Sequence, residues 1–519
     1  MARRALIQRA AANVASLPAP VGGWNARDSL ANMAPTDAVA LENFFPGVSS
    51  VNLRGGYKKH ATGFVGQVET LLSYNGQTSN KMFAAADNKI YDVTSEGPIG
   101  AAVVSGLGSN RWEYINITTP GGDFLYAVNG VDAPLLYDGS TWTAITGAST
   151  PAITGVTTTN LSNITLFKNR VWFVEKNTLK AWYLPTSSVG GAAQALDLSS
   201  IAKLGGSLVA MGTWTIDAGY GVDDNLVFVT TKGEVLVYRG TDPSSASTWA
   251  LIGVWSLGSP VSKRCFMKYG GDLLLLTLDG LLPLASALQS SRLDPNVALS
   301  DKIQGAFAVA TSQYKDNFGW GMLYNAKNNA LIINVPVAAG SQEQFVMNNI
   351  TKAWCRFTGW AANCLGLLND NPYFGANGYV ARAWTTESNG YVDDVNNISG
   401  RALQAFNYFE SRGVKKYFTR ARPSIFSNGS PGITLSMNVD FNTADSTAAI
   451  SYSPATYAVW DVALWDSGTW GQDDVIQTNW QGITGIGYCG GLQLTSSSKN
   501  LTIQWASTDV VYQTGWAGI

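Results

Sequence analysis

Histidine is almost missing from this chain. His60 is the single one, which removes His-rich metal sites and leaves one candidate for any His-based triad. It follows Lys58 and Lys59 in a polar stretch, where a surface position is expected. Cysteine is scarce too. Cys265, Cys355, Cys364 and Cys489 lack the paired spacing of a zinc site, so buried thiols are expected rather than disulfides or ligands. Charged residues are 13% of the 519, against about 25% in ordinary soluble domains. The net charge of −2 gives no global basic character of the kind that marks nucleic-acid binders. No apolar run reaches the roughly 18 residues that a membrane-spanning helix needs, so no membrane segment is expected. Residues 1–16 hold Arg3, Arg4 and Arg9 without the apolar stretch of a secretory signal. An Arg-rich, acid-free start can mimic a mitochondrial transit peptide. A basic arm that docks on a neighbouring subunit is the preferred reading.

What is present in quantity is glycine and aromatic side chain: 54 Gly, 18 Trp, 21 Tyr and 19 Phe. Aromatics fit pleated, half-buried surfaces and glycine serves the turns between strands, so the class is all-β. The tryptophans exceed what one ordinary core uses, and some are expected to face partners. Low charge fits a surface covered in an oligomer.

A repeat organises the middle of the chain. Short β runs joined by turn dipeptides occur at 82–86 and 90–93 (Asp87-Asn88), 124–128 and 135–137 (Asn129-Gly130), and 171–174 and 179–183 (Lys176-Asn177). They continue at 226–230 and 235–238 (Lys232-Gly233), 273–276 and 281–284 (Asp279-Gly280), 322–324 and 331–335 (Asn328-Asn329), and 373–374 and 379–384 (Asn377-Gly378). Such dipeptides accept the positive φ that hairpin turns require. With Phe83, Phe124, Val171, Val227, Leu273, Leu331 and Tyr373 as markers, the spacings are 41, 47, 56, 46, 58 and 42. Units of 40–50 residues with several strands each describe propeller blades. The expected fold is a β-propeller of six or seven blades over 63–395. An extended N-terminal arm and docking segment over 1–62 precedes it, and a sandwich-like C-terminal β domain over 396–519 follows. The competing arrangement is a set of unrelated hairpins in stacked sandwiches. Two short helices are expected, one begun by Ala34-Pro35-Thr36-Asp37, running through Phe44 and stopped at Pro46, and one capped by Ser300-Asp301 and running past Ile303, Phe307 and Ala310.

Charges in the last part are sorted. Residues 401–422 contain Arg401, Arg412, Lys415, Lys416, Arg420 and Arg422 against Glu410 alone. Residues 423–498 contain no Lys or Arg but hold Asp440, Asp445, Asp461, Asp466, Asp473 and Asp474. The aspartates are either turn residues or a one-signed surface.

Catalytic motifs are missing. There is no P-loop, HExxH or GxSxG, and no cofactor is expected. Gly485-Ile486-Gly487-Tyr488-Cys489-Gly490 matches GxGxxG, but a strand-like run follows where a dinucleotide site needs a helix, so it reads as a Gly-rich β turn. Asp138-Gly139-Ser140-Thr141-Trp142 and Asp466-Ser467-Gly468-Thr469-Trp470 are each one residue short of the Asp-box of sialidase-type propellers. A turn that feeds a Trp-bearing strand makes the same pattern for structural reasons. No pair of carboxylates is singled out for glycoside hydrolysis. The N-x-S/T sequons, Asn116, Asn163 and Asn349 among them, are near background.

One stretch carries a likeness. It runs Gly22-Gly23-Trp24-Asn25-Ala26-Arg27-Asp28-Ser29-Leu30-Ala31-Asn32-Met33, then Asn43-Phe44-Phe45-Pro46 and Leu53-Arg54-Gly55-Gly56-Tyr57. Ser300-Asp301-Lys302-Ile303, the run from Gln344 through Trp354-Cys355-Arg356-Phe357-Thr358-Gly359-Trp360, Asn363-Cys364, Phe374-Gly375, Phe406-Asn407-Tyr408-Phe409 and Arg422-Pro423 add to it. Together they resemble a family of virion proteins of short-tailed bacteriophages, the tail hub or nozzle proteins. The match is poor over about 65–295. The resemblance implies a propeller-bearing protein that rings as a hexamer beneath the portal and adaptor, around the channel through which DNA leaves. Implied partners are other copies, the adaptor or portal ring, tail fibres or a tail needle, and DNA that passes without specific binding. The expected location is the virion tail, after assembly in the host cytoplasm. No catalytic residues come with the family. Within that picture Arg3, Arg4, Arg9, Trp24 and Arg27 are the candidate subunit or adaptor contacts, and Asp461, Asp466, Asp473 and Asp474 are candidates to line the channel. A negative wall would repel phosphates and let DNA slide. The rival readings are a propeller depolymerase and a receptor-binding tail protein.

Overall fold

The computed structural model describes residues 12–217, 222–289, 297–387, 390–445, 450–451 and 475–515. The chain forms two compact units. One comprises residues 59–344 and 360–383; the other comprises 1–58, 345–359 and 384–519.

The first unit is a β-propeller of seven blades. Their inner strands are Thr70–Asn75, Glu113–Thr119, Leu161–Phe167, Leu208–Asp217, Phe266–Tyr269, Gly321–Asn325 and Cys364–Leu368, here numbered blades 1 to 7. Each inner strand neighbours the next, and that of blade 7 neighbours that of blade 1, so the ring closes. Blades 1 to 4 are four-stranded antiparallel meanders. Blade 7 is completed by Gly56–Gln67 from the other end of the chain, paired to Asn377–Thr385. This fastens first strand to last and leaves no open edge in the ring.

Seven blades are explained by the packing of the second strands. In Asn80–Ala86, Phe83 and Ala85 pack toward blade 2, while Met82, Ala84 and Ala86 pack toward blade 7. In Arg170–Glu175, Trp172 and Val174 face blade 4, and Val171 and Phe173 face blade 2. Each such strand is buried on both sides, and its sequence therefore reads as a nearly unbroken apolar run. All seven expected dipeptides lie where the second strand passes to the third, although in blade 5 the turn itself is Leu278-Asp279 and Gly280 opens the third strand opposite Thr277. The second residue of each has positive φ: Asn88 (55°), Gly130 (76°), Asn177 (61°), Gly233 (78°), Gly280 (137°), Asn329 (50°) and Gly378 (84°). The seven markers all lie on second strands. The longest spacing, 58, is accounted for in blade 5, where the helix Leu284–Ala287, the 3-10 turn Asp301–Ile303 and the helix Gln304–Tyr314 follow the third strand. The expected second helix is therefore found. Its cap is not: the Ser300 hydroxyl accepts a hydrogen bond from the Leu281 amide at 3.0 Å and makes no side-chain cap.

The aromatic excess also finds its place. Nine Trp side chains among the described residues are buried, namely Trp24, Trp112, Trp172, Trp214, Trp249, Trp320, Trp354, Trp360 and Trp505. Seven blades need a core between every neighbouring pair, which uses more large side chains than a single core. Trp172, for example, stacks on Trp249 with ring centres 5.5 Å apart.

The second unit is a sandwich of two sheets. One contains Phe44–Pro46, Val51–Leu53, Gln504–Thr514, Lys416–Ser427 and Val475–Gln477 in that order, with Ala12–Pro18 and Gln481–Gly487 paired beside them. The other contains Trp354–Phe357, Asp37–Glu42, Ile398–Gln404, Gly490–Ser498, Ile433–Val439 and Ile450–Ser451. Here the sequence-based picture needs correcting. The sandwich does not begin at 396: among the described residues it recruits 12–58 and 345–359. The segment 1–62, expected to be an extended arm and docking segment, is largely strand where it is described, starting with Ala12–Pro18, which is paired along its length with Gln504–Thr514. The segment expected to be helical through Phe44 is strand instead, over Asp37–Glu42 and Phe44–Pro46. Asp37–Glu42 pairs with Ile398–Gln404, Ala38 opposite Gln404 and Leu41 opposite Ala402, and this pairing overrides local helix preference.

Candidate functional site

At one mouth of the propeller an arginine crosses the axis. Arg264 precedes the inner strand of blade 5, and in a ring of seven the blades farthest from it are 1 and 2. Its guanidinium reaches both. Nε donates to Glu113 Oε1 at 3.0 Å, and Nη2 donates to Thr70 Oγ1 at 2.9 Å and to the Trp112 carbonyl at 3.0 Å. Phe318 lies under this cluster, with Arg264 5.9 Å and Arg111 4.1 Å from its ring centre. Arg111 in turn bonds Glu69 at 2.9 Å. Lys263 is exposed to solvent yet ringed by protein. That desolvation lowers its ammonium pKa, with Lys176 adding to the effect and Glu113 opposing it.

Toward the other end of the inner strands lies a cavity of about 610 Å³ between blades 6, 7, 1 and 2. Its polar lining includes Ser73, Asn75, Asn80, Tyr114, Asn116 and Asn369, and Asp370 is its one carboxylate. The amides are held in place: Asn116 donates to the Ser73 carbonyl at 2.9 Å and accepts from the Asn75 amide at 3.0 Å, and Asn80 donates to Asn369 at 2.8 Å. The positive-φ pair Asn369 (50°) and Asp370 (60°) forms the turn at its rim. No local pattern marks this gathering, since the asparagines come from separate blades.

In the sandwich unit, the residues singled out from sequence form a packed cluster. Gly23 has a φ of +82°, and a Cβ there would lie 2.6 Å from the Trp354 carbonyl, so only glycine fits. Asn25 ties the following turn: its side-chain oxygen accepts from the Arg27 and Asp28 amides, and its Nδ2 donates to Asp28 at 2.9 Å and Asp37 at 2.7 Å. Trp24, expected to meet a partner, is 9% exposed. Its indole meets Phe345 edge-on at 5.3 Å and lies 5.8 Å from the Arg356 guanidinium. It lines a cleft of about 270 Å³ with Glu42, Arg356 and Arg401. Glu42 accepts from Arg356 and lies 3.6 Å from Arg401, which also bonds Asp445 at 2.8 Å. Arg27 is half-exposed and pairs with Asp28 at 2.8 Å. Arg3, Arg4 and Arg9, and Asp461, Asp466, Asp473 and Asp474, lie outside the described residues.

The tightest node is Arg54, whose side chain is fully buried. It donates to both Asp393 oxygens at 2.8 and 2.6 Å, to Asn43 Oδ1 at 2.8 Å, to the Thr358 carbonyl at 2.7 Å and to the Gly55 carbonyl at 2.9 Å. Asn43 closes the network, donating to Thr358 Oγ1 at 2.8 Å and the Ser399 carbonyl at 2.7 Å. A planar guanidinium with every donor used is a device for joining distant chain segments. Here it joins 43–55, 358 and 393–399.

The weak catalytic motifs resolve as structure. Asp138 closes the turn between the third and fourth strands of blade 2, accepting from the amides and hydroxyls of Ser140 and Thr141 at 2.7–2.9 Å. Desolvation raises its pKa, but these four hydrogen bonds outweigh it and hold the carboxyl at about 2. Trp142 packs on Phe83 and Tyr137. The GxGxxG run is strand Gln481–Gly487, a turn and strand Gly490–Ser498, as expected. Its glycines let the two sheets approach: a Cβ at Gly485 would lie 2.9 Å from Val439, and one at Gly490 2.8 Å from Phe418 and Met437. His60 is half-buried rather than on the surface, with Nε2 2.9 Å from the Val93 carbonyl and its ring edge-on to Tyr373. All four cysteines are buried free thiols. Among the described residues no cluster of His, Cys, Asp and Glu could hold a metal ion.

Blade order and strand pairing define the class: a seven-bladed β-propeller joined to a discontinuous β-sandwich. No family model and no curated protein matches the chain. Several solved structures are similar. The extracellular domain of a hybrid two-component system from B. thetaiotaomicron matches at 12% identity and a TM-score of 0.38, over 60% of this chain and 40% of that one, so the chain spans about two-fifths of its length. The Swd1 β-propeller domain of Myceliophthora thermophila matches at 11% identity and a TM-score of 0.41, over 64% of this chain and all of that one. YCF48 from Cyanidioschyzon merolae matches at 11% identity and a TM-score of 0.33, over 65% and 97%. Likenesses this distant carry no argument about function.

Proposed function

We propose that this chain is a structural subunit of a short-tailed phage tail. In this reading identical copies ring the path of the exiting DNA beneath the portal and adaptor, and anchor further tail parts such as fibres or a needle. One observation carries it. Of the segments by which the sequence resembles tail hub or nozzle proteins, 22–33, 43–46, 53–57, 406–409, 422–423 and all of 344–348 and 353–360 except Gln344 and Trp360 fall in the sandwich unit, while 300–303, 363–364 and 374–375 fall in the propeller. Within it, Asn43, Arg54 and Thr358 share one hydrogen-bonded node with Asp393. Segments hundreds of residues apart thus form one object, as a shared architectural unit would require. The duplex would run through the lumen of the ring rather than along a propeller axis, because Arg264 bridges that axis. No catalytic residue or cofactor is assigned. Sedimentation of the purified protein, alone and with its adaptor ring, tests the reading: a closed oligomer in either state supports it, and a monomer in both opposes it.

The Asn-rich cavity favours a second reading, a receptor-binding tail module. Polar, pre-positioned amides suit a neutral polyhydroxyl ligand. A lone carboxylate, Asp370, does not supply the pair that glycoside hydrolysis uses. Specific adsorption of the purified protein to host cells, lost on Asn116→Leu, would support it.

A further inference from the structure

We propose that the cavity between blades 3, 4 and 5 is a binding site for a saccharide whose sugar units each carry a single negative charge. The inference does not depend on the ring reading, and the cavity is separate from the Asn-lined one.

The cavity measures about 640 Å³, within the roughly 300–1,000 Å³ of small-molecule sites. Neighbouring blades build it jointly. The turn Lys168-Asn169 joins the first two strands of blade 3 and brings Lys168, Asn169 and Arg170 to the edge, and Thr186 follows the third strand of that blade. Blade 4 contributes Thr215 from its inner strand, Asp224 from its second, and Thr241 and Asp242 from the loop after its third. Lys268 comes from the inner strand of blade 5. Both turn residues of blade 3 have positive φ, Lys168 at 48° and Asn169 at 56°. Asparagine takes that conformation readily and lysine seldom does. Lysine there places an ammonium 2.9 Å from Asp224, on the next blade.

The charges around the cavity do not balance. Asp224 is committed, accepting from Lys168 and from Thr215 at 2.9 Å each. Desolvation raises its pKa, but these bonds and the charges of Lys168 and Lys268 outweigh it and hold the carboxyl below its ordinary value. Arg170 is loosely engaged: Nη1 is 3.4 Å from the Leu184 carbonyl and Nη2 is 3.7 Å from Asp242, the latter beyond hydrogen-bond reach. Lys268 is exposed, and its ammonium makes no hydrogen bond or ion pair among the described residues. The side chains of Asn169, Thr186 and Thr241 likewise spend no hydrogen bond on the described residues. Three cations against two carboxylates leave one positive charge to be met.

That balance selects the ligand. One surplus charge suits one carboxylate or sulfate, whereas the dense charge of a polyphosphate would be repelled by Asp224 and Asp242. An anionic group between Lys268 and Arg170 would accept charge-assisted hydrogen bonds. Sugar hydroxyls both donate and accept, and so do the groups that remain: Asn169, Thr186 and Thr241, with Asp242 as acceptor. The Asn-lined cavity has Asp370 and neither Lys nor Arg among its described lining, so the two cavities differ in the charge they favour.

Isothermal titration calorimetry on the full chain tests this with an oligogalacturonate, the matching neutral oligogalactose and a sulfated form of the latter. The uronate should bind at least about tenfold more tightly than the neutral sugar, and Lys268→Met should weaken it by at least about tenfold. Lys268 has no ion pair to lose, so the urea-unfolding midpoint of that variant should match wild type. Equal binding of uronate and sulfated sugar, both weakened in Lys268→Met, supports the proposal with charge as the recognised feature; preference for one of them supports it and names the group. Equal binding of the neutral sugar overturns it, as does wild-type affinity in Lys268→Met. Inorganic phosphate that binds as tightly as the uronate and displaces it would make the cavity a bare anion site and also overturn it. Loss of uronate binding in Asn116→Leu but not in Lys268→Met would place the sugar in the Asn-lined cavity instead. No binding of either acidic sugar at millimolar concentration overturns the proposal outright.

Discussion

Arg264 and Glu113 hydrogen-bond at 3.0 Å across the propeller, from blades that are not neighbours. The inner strands pack chiefly on the strands beside them, so this pair and the Thr70 contact tie the ring along a chord. Both side chains are partly accessible, 23% and 18%, which places the pair between a surface and a buried one. Arg264→Met should cost about 2 kcal/mol in urea unfolding, mostly by leaving Glu113 without its partner. A double-mutant cycle with Glu113→Gln should return a coupling of about 1 kcal/mol. Additivity within error would mean the chord contributes nothing to closure.

Arg54 should be far less tolerant. Its guanidinium is fully buried and spends its donors on four partners. Arg54→Met should lose about 3–5 kcal/mol from the sandwich unit, because Asp393 is left buried and unpaired. Arg54→Lys should rescue little, since an ammonium lacks the planar fork that meets both Asp393 oxygens. A Lys variant with wild-type stability in chemical denaturation would show the node to be dispensable.

Asp138 gives a pH dependence whose sign follows from its environment. Its folded pKa of about 2 lies below the ordinary 3.8. The hydrogen bonds to Ser140 and Thr141 therefore contribute stability above pH 3.8 that is lost as pH falls toward 2. Asp138→Asn should destabilise the propeller at pH 7 and approach wild type near pH 2. The turn is exposed, so the effect should be small, and parallel stability–pH curves for the two proteins would refute it.

The thiols should report on the two units separately. Burial raises the pKa of Cys265, Cys355, Cys364 and Cys489 above the ordinary value, Cys364 to about 12. Buried, protonated thiols react poorly. A soluble disulfide reagent at pH 8 should label none in the folded protein. As denaturant rises, Cys265 and Cys364 should appear with the propeller, and Cys355 and Cys489 with the sandwich. Rapid labelling of any one under native conditions would contradict its placement.

The propeller was legible because its hairpin turns need particular residues. Asp87-Asn88 and Asn377-Gly378 announce positive φ locally, and the apolar second strands follow from burial on both faces. The sandwich was not legible as a unit, because what joins it is long-range. Asp37–Glu42 looks like a helix start until Ile398–Gln404 is laid beside it, and Ala12–Pro18 looks like a free arm until it meets Gln504–Thr514. The Arg54 node, the Arg264 chord and the Asn-lined cavity share the same character: each gathers residues from separate segments, and no local pattern marks them. The sequence around Trp24 marks it as a candidate partner contact and says nothing of Phe345 and Arg356, which lie more than 300 residues away and pack on its indole.

The proposed role, a ring-forming tail component, is tested most directly by cryo-electron microscopy of tails assembled with this chain. The expected result is a closed ring of identical copies on the tail axis, with DNA in the lumen between subunits and none along a propeller axis. Copies found singly at the periphery, away from the axis, would contradict it.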